Sequence, residues 1–136
     1  MTQPDRGTHP ITVMDTTLRD GEQTPNVSYT PEEKLQISRL LLNDIEVDRI
    51  EIASTRVSEG EAEAAAQITR WARKARVLQR IEILGYADRQ SSVDWIAQAG
   101  GKVINLLTKQ INPTSCCGTI MIYKRVVIHH PSMMSI

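Results

Sequence analysis

Two side chains with complementary chemistry, Arg19 and Asp20, stand next to each other within residues 15–23 (DTTLRDGEQ). An arginine can bind a planar carboxylate or polarise a carbonyl oxygen, and an aspartate can hold a divalent metal ion. The run begins where a short apolar stretch, residues 11–14, ends, and Gly21 indicates a turn. Because enzymes built on parallel α/β sheets place their chemistry at such strand tips, the pair predicts an active site. A buried ion pair that ends a strand is an equally good interpretation.

Four strand–loop–helix repeats are predicted to position this pair. The predicted strands are residues 11–14, 49–53, 81–84 and 103–107. Helices are predicted from Thr30, with Pro31 at its first position, from Ser58 and around Val93. Glu33 and Glu61 complete capping boxes at the first two. Their predicted buried faces are Ile37, Leu40, Leu41 and Ile45 in the first helix, and Ile68, Trp71, Ala72 and Ala75 in the second.

This alternation predicts an α/β fold with parallel strands joined by right-handed crossovers. Two architectures fit it: an open doubly wound sheet, or the first half of a (β/α)8 barrel, which typically needs ~250 residues. No GxGxxG follows the first strand, so a dinucleotide-binding fold is unsupported.

Composition excludes several classes of function. The 136 residues carry 16 basic and 16 acidic side chains, so no basic excess exists to attract nucleic acid or a membrane surface. No apolar run approaches the ~20 residues of a membrane span, and residues 1–10 lack the apolar core of a signal peptide. The adjacent Cys116 and Cys117 form neither a disulfide framework nor a CxxC pair. We therefore expect a cytoplasmic protein.

The composition changes near Lys109, because all 16 carboxylates precede residue 110. We divide the chain into an N-terminal extension (1–10), a partial barrel domain (11–109) and a divergent, irregular tail (110–136). Two short strands, residues 120–123 and 126–128, are conceivable in the tail. The neighbouring His129 and His130 are a poor metal pair because adjacent side chains on a strand diverge. A truncated or frame-shifted gene product would explain such a tail.

Residues 11–109 resemble a known enzyme family. The resemblance is carried by residues 15–23, 50–54 (IEIAS) and 83–85 (ILG). They are similar to the metal-dependent acyltransferases that include isopropylmalate, homocitrate and citramalate synthases. The runs 49–61 and 80–85 look closest to the citramalate branch. The resemblance implies the first half of a TIM barrel, with about four parallel strands, in an enzyme of branched-chain amino-acid biosynthesis.

The resemblance also implies a reaction and roles for individual residues. The expected reaction condenses acetyl-CoA, as co-substrate, with a 2-oxo acid: pyruvate first, 2-oxoisovalerate next. Arg19 would contact the keto acid and polarise its ketone, and Asp20 would bind substrate through a divalent metal (Mn, Mg or Zn) that acts as a Lewis acid. Leu84 and Leu107, at the ends of the third and fourth strands, would pack against the methyl group of pyruvate.

Other residues receive weaker assignments. Glu22 and Gln23 either brace the loop or the metal shell, as the resemblance implies, or have a solvated or structural role. Glu51 and Glu82 are predicted to be internal ion-pair partners within strands.

The chain departs from the family pattern in ways that limit the expected activity. Two histidine ligands that the family supplies from a late strand have no counterpart here. We therefore expect no synthase activity from this chain alone, and open sheet edges at its first and fourth strands. The expected partners are small molecules, with neither nucleic acid nor membrane, and the resemblance allows a homodimer. The alternatives are a non-catalytic remnant, or a lyase or aldolase of the same superfamily, which the ending Gly21-Glu22-Gln23 disfavours.

Overall fold

The computed structural model describes residues 11–55, 58–88, 90–111 and 119–128. Within these ranges, five strands form one open sheet in the order β1-β2-β3-β4-β5. They are β1 (Met14–Asp15), β2 (Arg49–Ser54), β3 (Ile81–Tyr86), β4 (Val103–Ile111) and β5 (Thr119–Val127). The first four strands are parallel, as predicted, and β5 runs antiparallel to β4. The fold is α/β with a mostly parallel sheet. Because the described sheet does not close, the barrel itself stays a prediction.

Three helices connect the parallel strands: α1 (Pro31–Arg39), α2 (Glu59–Lys74) and α3 (Ser91–Gln98). Shorter turns are the 3-10 segments Gly21–Gln23 and Leu78–Arg80 and the π-helical turn Leu40–Asp44. In the described part of the chain, no helix combines the length and the apolar character that crossing a bilayer requires.

The helix starts follow the capping signals in the sequence. Thr30 accepts a hydrogen bond from the Glu33 N–H at 3.2 Å, and the Glu33 carboxylate accepts one from the Thr30 N–H at 2.8 Å. This confirms the first capping box. Ser58 likewise accepts from the Glu61 N–H at 3.2 Å. The Glu61 side chain, however, turns towards Lys34, so only the Ser58 half of the second box is seen among the described contacts.

The predicted buried faces are correct in part. Leu41, Ile68 and Ala72 are buried, but Leu40 and Ile45 are 51% and 59% exposed. The physical reason is the π-helical turn, in which the Ile45 N–H donates to the Leu40 carbonyl at 3.0 Å. This i→i+5 turn contains more residues than an α-helical turn, so it breaks the 3.6-residue period and brings Leu42 into the core instead. In α2, Trp71 is half-buried and Ala75, at the helix end, is exposed.

The two faces of the sheet differ in chemistry. Isoleucines 50, 52, 81, 83 and 104 belong to the hydrophobic core, which includes helical residues such as Ile68 and Ile96. Because side chains alternate along a strand, Glu51, Glu82 and Asn105 lie on the opposite face. We call that side the polar face. β3 continues past residue 84, its predicted end, and includes Gly85, where a side chain would collide with Ile104.

The tail requires the largest correction. Residues 119–127, predicted to be irregular or to form two short strands, form one nine-residue strand that pairs along all of β4. The fourth strand is therefore not an open edge. A parallel strand must be preceded by a crossover, usually a helix, and no helical pattern precedes residues 119–127. An antiparallel neighbour needs no crossover, so the missing helix did not exclude a strand there. Residues 1–10, Cys116-Cys117 and His129-His130 lie outside the described residues.

Candidate functional site

The turn after β1 carries the Arg19–Asp20 pair. The N–H groups of both residues donate to the Thr16 carbonyl, at 3.0 and 2.7 Å. The Arg19 side chain is only 10% exposed, and its Nε donates to Oε2 of Glu51 on β2 at 2.5 Å. A terminal guanidinium nitrogen pairs with Asp20. The arginine therefore lies beyond the end of a strand in a largely buried ion pair, which confirms the ion-pair interpretation. The active site stays a prediction.

Glu51 fixes the orientation of Arg19. This carboxylate is fully buried, and its second oxygen accepts a hydrogen bond from Nδ2 of Asn105 on β4 at 2.7 Å. A buried charge is tolerated when it is paired and hydrogen-bonded, and both Glu51 oxygens meet that condition. The predicted role of Glu51 as an ion-pair partner is confirmed. Asn105 was missed, although an amide inside an otherwise apolar strand could have identified it.

Asp20, the predicted metal ligand, has a half-exposed side chain, at 49%, and contacts Arg19. Within the described ranges, no group of three His, Cys, Asp or Glu side chains could hold a metal ion. Divalent cations of the expected type require several oxygen ligands. The residues in the described part of the chain therefore do not by themselves fit a divalent metal, and the role of Asp20 as a ligand stays a prediction.

A second buried carboxylate, Glu82, lies on the same face. Its Oε1 accepts from Arg49 at 2.9 Å and from Arg125 of β5 at 2.7 Å, which confirms it as an internal ion-pair partner. Its Oε2 is buried without a hydrogen-bond partner among the described residues. Arg125 could not be foreseen, because the tail was read as lying outside the fold.

A cavity of about 520 Å³ joins these groups on the polar face. It is lined by Met14, Arg19, Asp20, Arg49, Glu82, Asn105 and Arg125. With three guanidinium groups among three carboxylate or amide groups, the cavity is suited to a small anionic molecule that also carries hydrogen-bonding groups.

The two predicted substrate leucines lie further along the strands. Leu84 is buried and pairs in register with Asn105, and Leu107 is half-buried and pairs with Tyr86. Both therefore point to the polar face. Neither lines the two cavities that contain Arg19, so the leucines share a face with Glu51 and Asn105 without being joined to Arg19 and Asp20.

A buried lysine that sequence reasoning missed lies behind the Arg19 turn. Lys34 is 1% exposed and forms ion pairs with Glu22, at 2.6 Å, and with Glu61. The signal was available, because Lys34 falls on the buried face of α1 with Ser38 and Leu41 at helical spacing.

The pKa values of the two carboxylates that share Lys34 are shifted in opposite directions. Burial raises the pKa of Glu61 above its ordinary range, and the hydrogen bond and charge of Lys34 only partly oppose this. Burial also opposes ionisation of Glu22. Its pKa is nevertheless lowered, because Lys34 and the Tyr29 N–H, at 2.9 Å, stabilise the charged form.

Glu22 therefore connects the loop before α1 to Lys34, which agrees with both the predicted loop-bracing role and a purely structural one. Gln23 is exposed and lines a second cavity, of about 410 Å³, together with Arg19, Glu22 and the start of α2.

Proteins similar in sequence to this chain include the synthases that residues 15–23 resemble. The putative (R)-citramalate synthase of Methanopyrus kandleri is 55% identical over 60 residues, which are 44% of this chain and 12% of that protein. The homocitrate synthase of the same organism is 55% identical over 58 residues, 43% of this chain and 14% of that protein. The 2-isopropylmalate synthase of Methanocaldococcus jannaschii is 52% identical over 65 residues, 48% of this chain and 12% of that protein.

These matches confirm the predicted resemblance to the three synthases. The aligned stretches span about an eighth of the length of these relatives. The sequence profile of the HMGL-like family matches residues 10–110, about three quarters of the chain. The chain belongs to the HMGL-like family.

Proposed function

We propose that this chain carries the keto-acid corner of a synthase that condenses acetyl-CoA with a 2-oxo acid. One observation carries the proposal: Arg19, largely buried, is fixed by Glu51 beside Asp20 on a cavity of the polar face. The similarity to proteins named citramalate, homocitrate and 2-isopropylmalate synthase supports it.

The proposed chemistry assigns Arg19 to the charge that develops on the keto acid. The methyl carbon of the acetyl group loses a proton and attacks the ketone carbon, so a carbon–carbon bond forms and the ketone oxygen becomes an alkoxide. That oxygen then takes up a proton, and water hydrolyses the thioester to release the CoA thiol. A guanidinium that is already oriented stabilises the alkoxide without having to reorganise. Glu51 supplies this orientation through the 2.5 Å contact to Nε.

Pyruvate is the proposed keto acid. This choice rests on the resemblance: Leu84 and Leu107 lie on the same face as Arg19, although neither lines its cavities, and apolar side chains there would suit a methyl group better than a second carboxylate. An apolar pocket distinguishes one methylene by only ~1–3 kcal/mol, so 2-oxoisovalerate is the next candidate. The proposed metal would bind Asp20 together with ligands from outside the described residues.

The test is a titration of the 15N-labelled chain with pyruvate, followed by NMR. We expect pyruvate to shift the Nε–Hε signal of Arg19 with a dissociation constant on the order of millimolar, since few groups bind so small an anion. The two variants are compared by the backbone amide signal of Asp20, which both of them keep: its shift with pyruvate should be lost in Arg19→Gln and retained in Arg70→Gln, a variant of an exposed arginine of α2. Equal responses in both variants would refute the proposal. Tighter binding of 2-oxoisovalerate would overturn only the choice of pyruvate.

A non-catalytic chain is the second candidate, and β5 favours it. This strand covers the edge of β4 and brings Arg125 to Glu82 on the polar face. The edge of β4 and the Glu82 carboxylate are thus paired within the chain itself. Release of CoA thiol from acetyl-CoA with pyruvate and manganese separates the two candidates. We expect none from this chain alone, because its described residues do not complete a metal site. The synthase names of the relatives argue against the lyase or aldolase alternative.

A further inference from the structure

The buried Lys34 ammonium contacts the chain on both sides of Arg19 and Asp20. Its Nζ lies 3.4 Å from the carbonyl oxygen of Leu18, the residue before Arg19. It also lies 2.6 Å from Oε2 of Glu22, two residues after Asp20. One ammonium therefore contacts the backbone just before the Arg19–Asp20 turn and a side chain just after it.

The same ammonium joins three structural elements. Lys34 belongs to α1, Glu22 to the 3-10 segment after β1, and Glu61 to the first turn of α2. Glu22 extends the connection, because its other oxygen accepts from the Tyr29 N–H at 2.9 Å and so closes the loop before α1. Glu61 also lines the 410 Å³ cavity with Arg19.

Burial makes this arrangement rigid. Lys34 is 1% exposed, and the Glu22 and Glu61 side chains are 19% and 13% exposed. Separating one of these charges from its partner would leave it buried and poorly solvated, so any other arrangement of the cluster would be higher in free energy. Lys34 does not line either cavity that contains Arg19, and its action on a ligand must therefore be indirect.

We propose that Lys34 is the positioning residue of the Arg19–Asp20 turn: through Leu18, Glu22 and Glu61 it sets where the Arg19 guanidinium meets a 2-oxo acid. The chemical consequence rests on the proposed function, whereas the positioning of the turn does not. The prediction is local, since losing the ammonium releases the turn and the loop before α1 but leaves the sheet intact.

The decisive variant is Lys34→Met, which keeps most of the side-chain volume and removes the charge. Lys74→Met, at the exposed end of α2, is the matched control. Amide hydrogen exchange is measured at Asp20 and Tyr29 and compared with Ile83 in β3. We expect exchange at Asp20 and Tyr29 to accelerate by about tenfold or more in Lys34→Met, with Ile83 and the control unchanged. Equal acceleration at all three sites, or none, would overturn the proposal.

A second variant covers the case in which Lys34→Met does not fold. Glu22→Ala removes the contact to the Tyr29 N–H but leaves Lys34 paired with Glu61, and Glu63→Ala, on the exposed side of α2, is its control. We expect faster exchange in Glu22→Ala only, and at Asp20, whose N–H donates to the Thr16 carbonyl and not to Glu22. Equal exchange in the two alanine variants would contradict the proposal.

Pyruvate titration of the same variants distinguishes the two levels of the account. Weaker binding by Lys34→Met, by about tenfold, supports positioning of the ligand site. Unchanged affinity despite a released turn overturns it. If the wild-type chain shows no pyruvate response, the proposed function fails, and the exchange measurement still decides whether Lys34 positions the turn.

Discussion

Glu51 and Glu82 are two buried carboxylates in register on neighbouring strands, yet their surroundings differ. Each Glu51 oxygen has its own partner, Arg19 on one side and Asn105 on the other. Glu82 places two arginines on one oxygen, and its second oxygen has no partner within the described residues. The arginines at Glu82 are also more exposed, at 26% and 38%, than Arg19 at 10%.

The two carboxylates therefore have different structural roles. Glu51 holds a largely buried guanidinium in one orientation, as a preorganised functional group requires. Glu82 neutralises guanidinium groups that still reach solvent, and through Arg125 it attaches β5 to the polar face. The same residue type in register thus orients a buried guanidinium in one case and contacts a neighbouring strand in the other.

The largest expected effect comes from Glu51→Gln compared with Glu82→Gln. Removing the Glu51 charge leaves Arg19 buried without its main partner, which costs roughly 3–5 kcal/mol of unfolding free energy. Glu82→Gln should cost only about 1–2 kcal/mol, because Arg49 and Arg125 can turn to water. Urea unfolding of both variants measures the difference. Equal losses would show that the two carboxylates have the same role.

A smaller effect concerns pH and extends the comparison to Glu22 and Glu61. Glu22 has a lowered pKa, so its charge contributes stability that is present above its ordinary value of 4.5 and is lost as pH falls through the lowered pKa. Glu61 has a raised pKa, so stability falls as pH rises from 4.5 through the raised value.

The two glutamine variants should therefore show opposite pH trends. The cost of Glu22→Gln should grow as pH rises to about 4.5 and stay constant above it, whereas the cost of Glu61→Gln should shrink above that pH. Thermal unfolding between acidic and neutral pH records both trends. Parallel curves for the two variants would exclude the shared-lysine account of this cluster.

The sequence was informative where a local rule applied. Residue types at helix ends predict the caps at Thr30 and Ser58. Hydrophobic periodicity predicts the first four strands and their parallel order. The cost of burying a charge predicts that Glu51 and Glu82 each form an ion pair with a basic side chain.

It was uninformative where a tertiary contact decided the outcome. Helical spacing places Lys34 on the buried face of α1, but its ion-pair partners Glu22 and Glu61 follow only from the tertiary structure. The π-helical turn shifts the face of α1, and β5 recruits Arg125 from a segment that local composition marks as foreign. The Lys34 and Arg125 contacts join residues that are distant in the sequence, whereas the π-helical turn is local and interrupts the helical period.

The most direct test of the central claim, that Glu51 holds Arg19 ready for a 2-oxo acid, is the Nε–Hε signal of Arg19 during pyruvate titration of the two glutamine variants. The account predicts that the signal moves with pyruvate in the wild type and in Glu82→Gln, and that folded Glu51→Gln loses the response. An undiminished response in Glu51→Gln would contradict the claim, because Arg19 would then bind the keto acid without its buried partner.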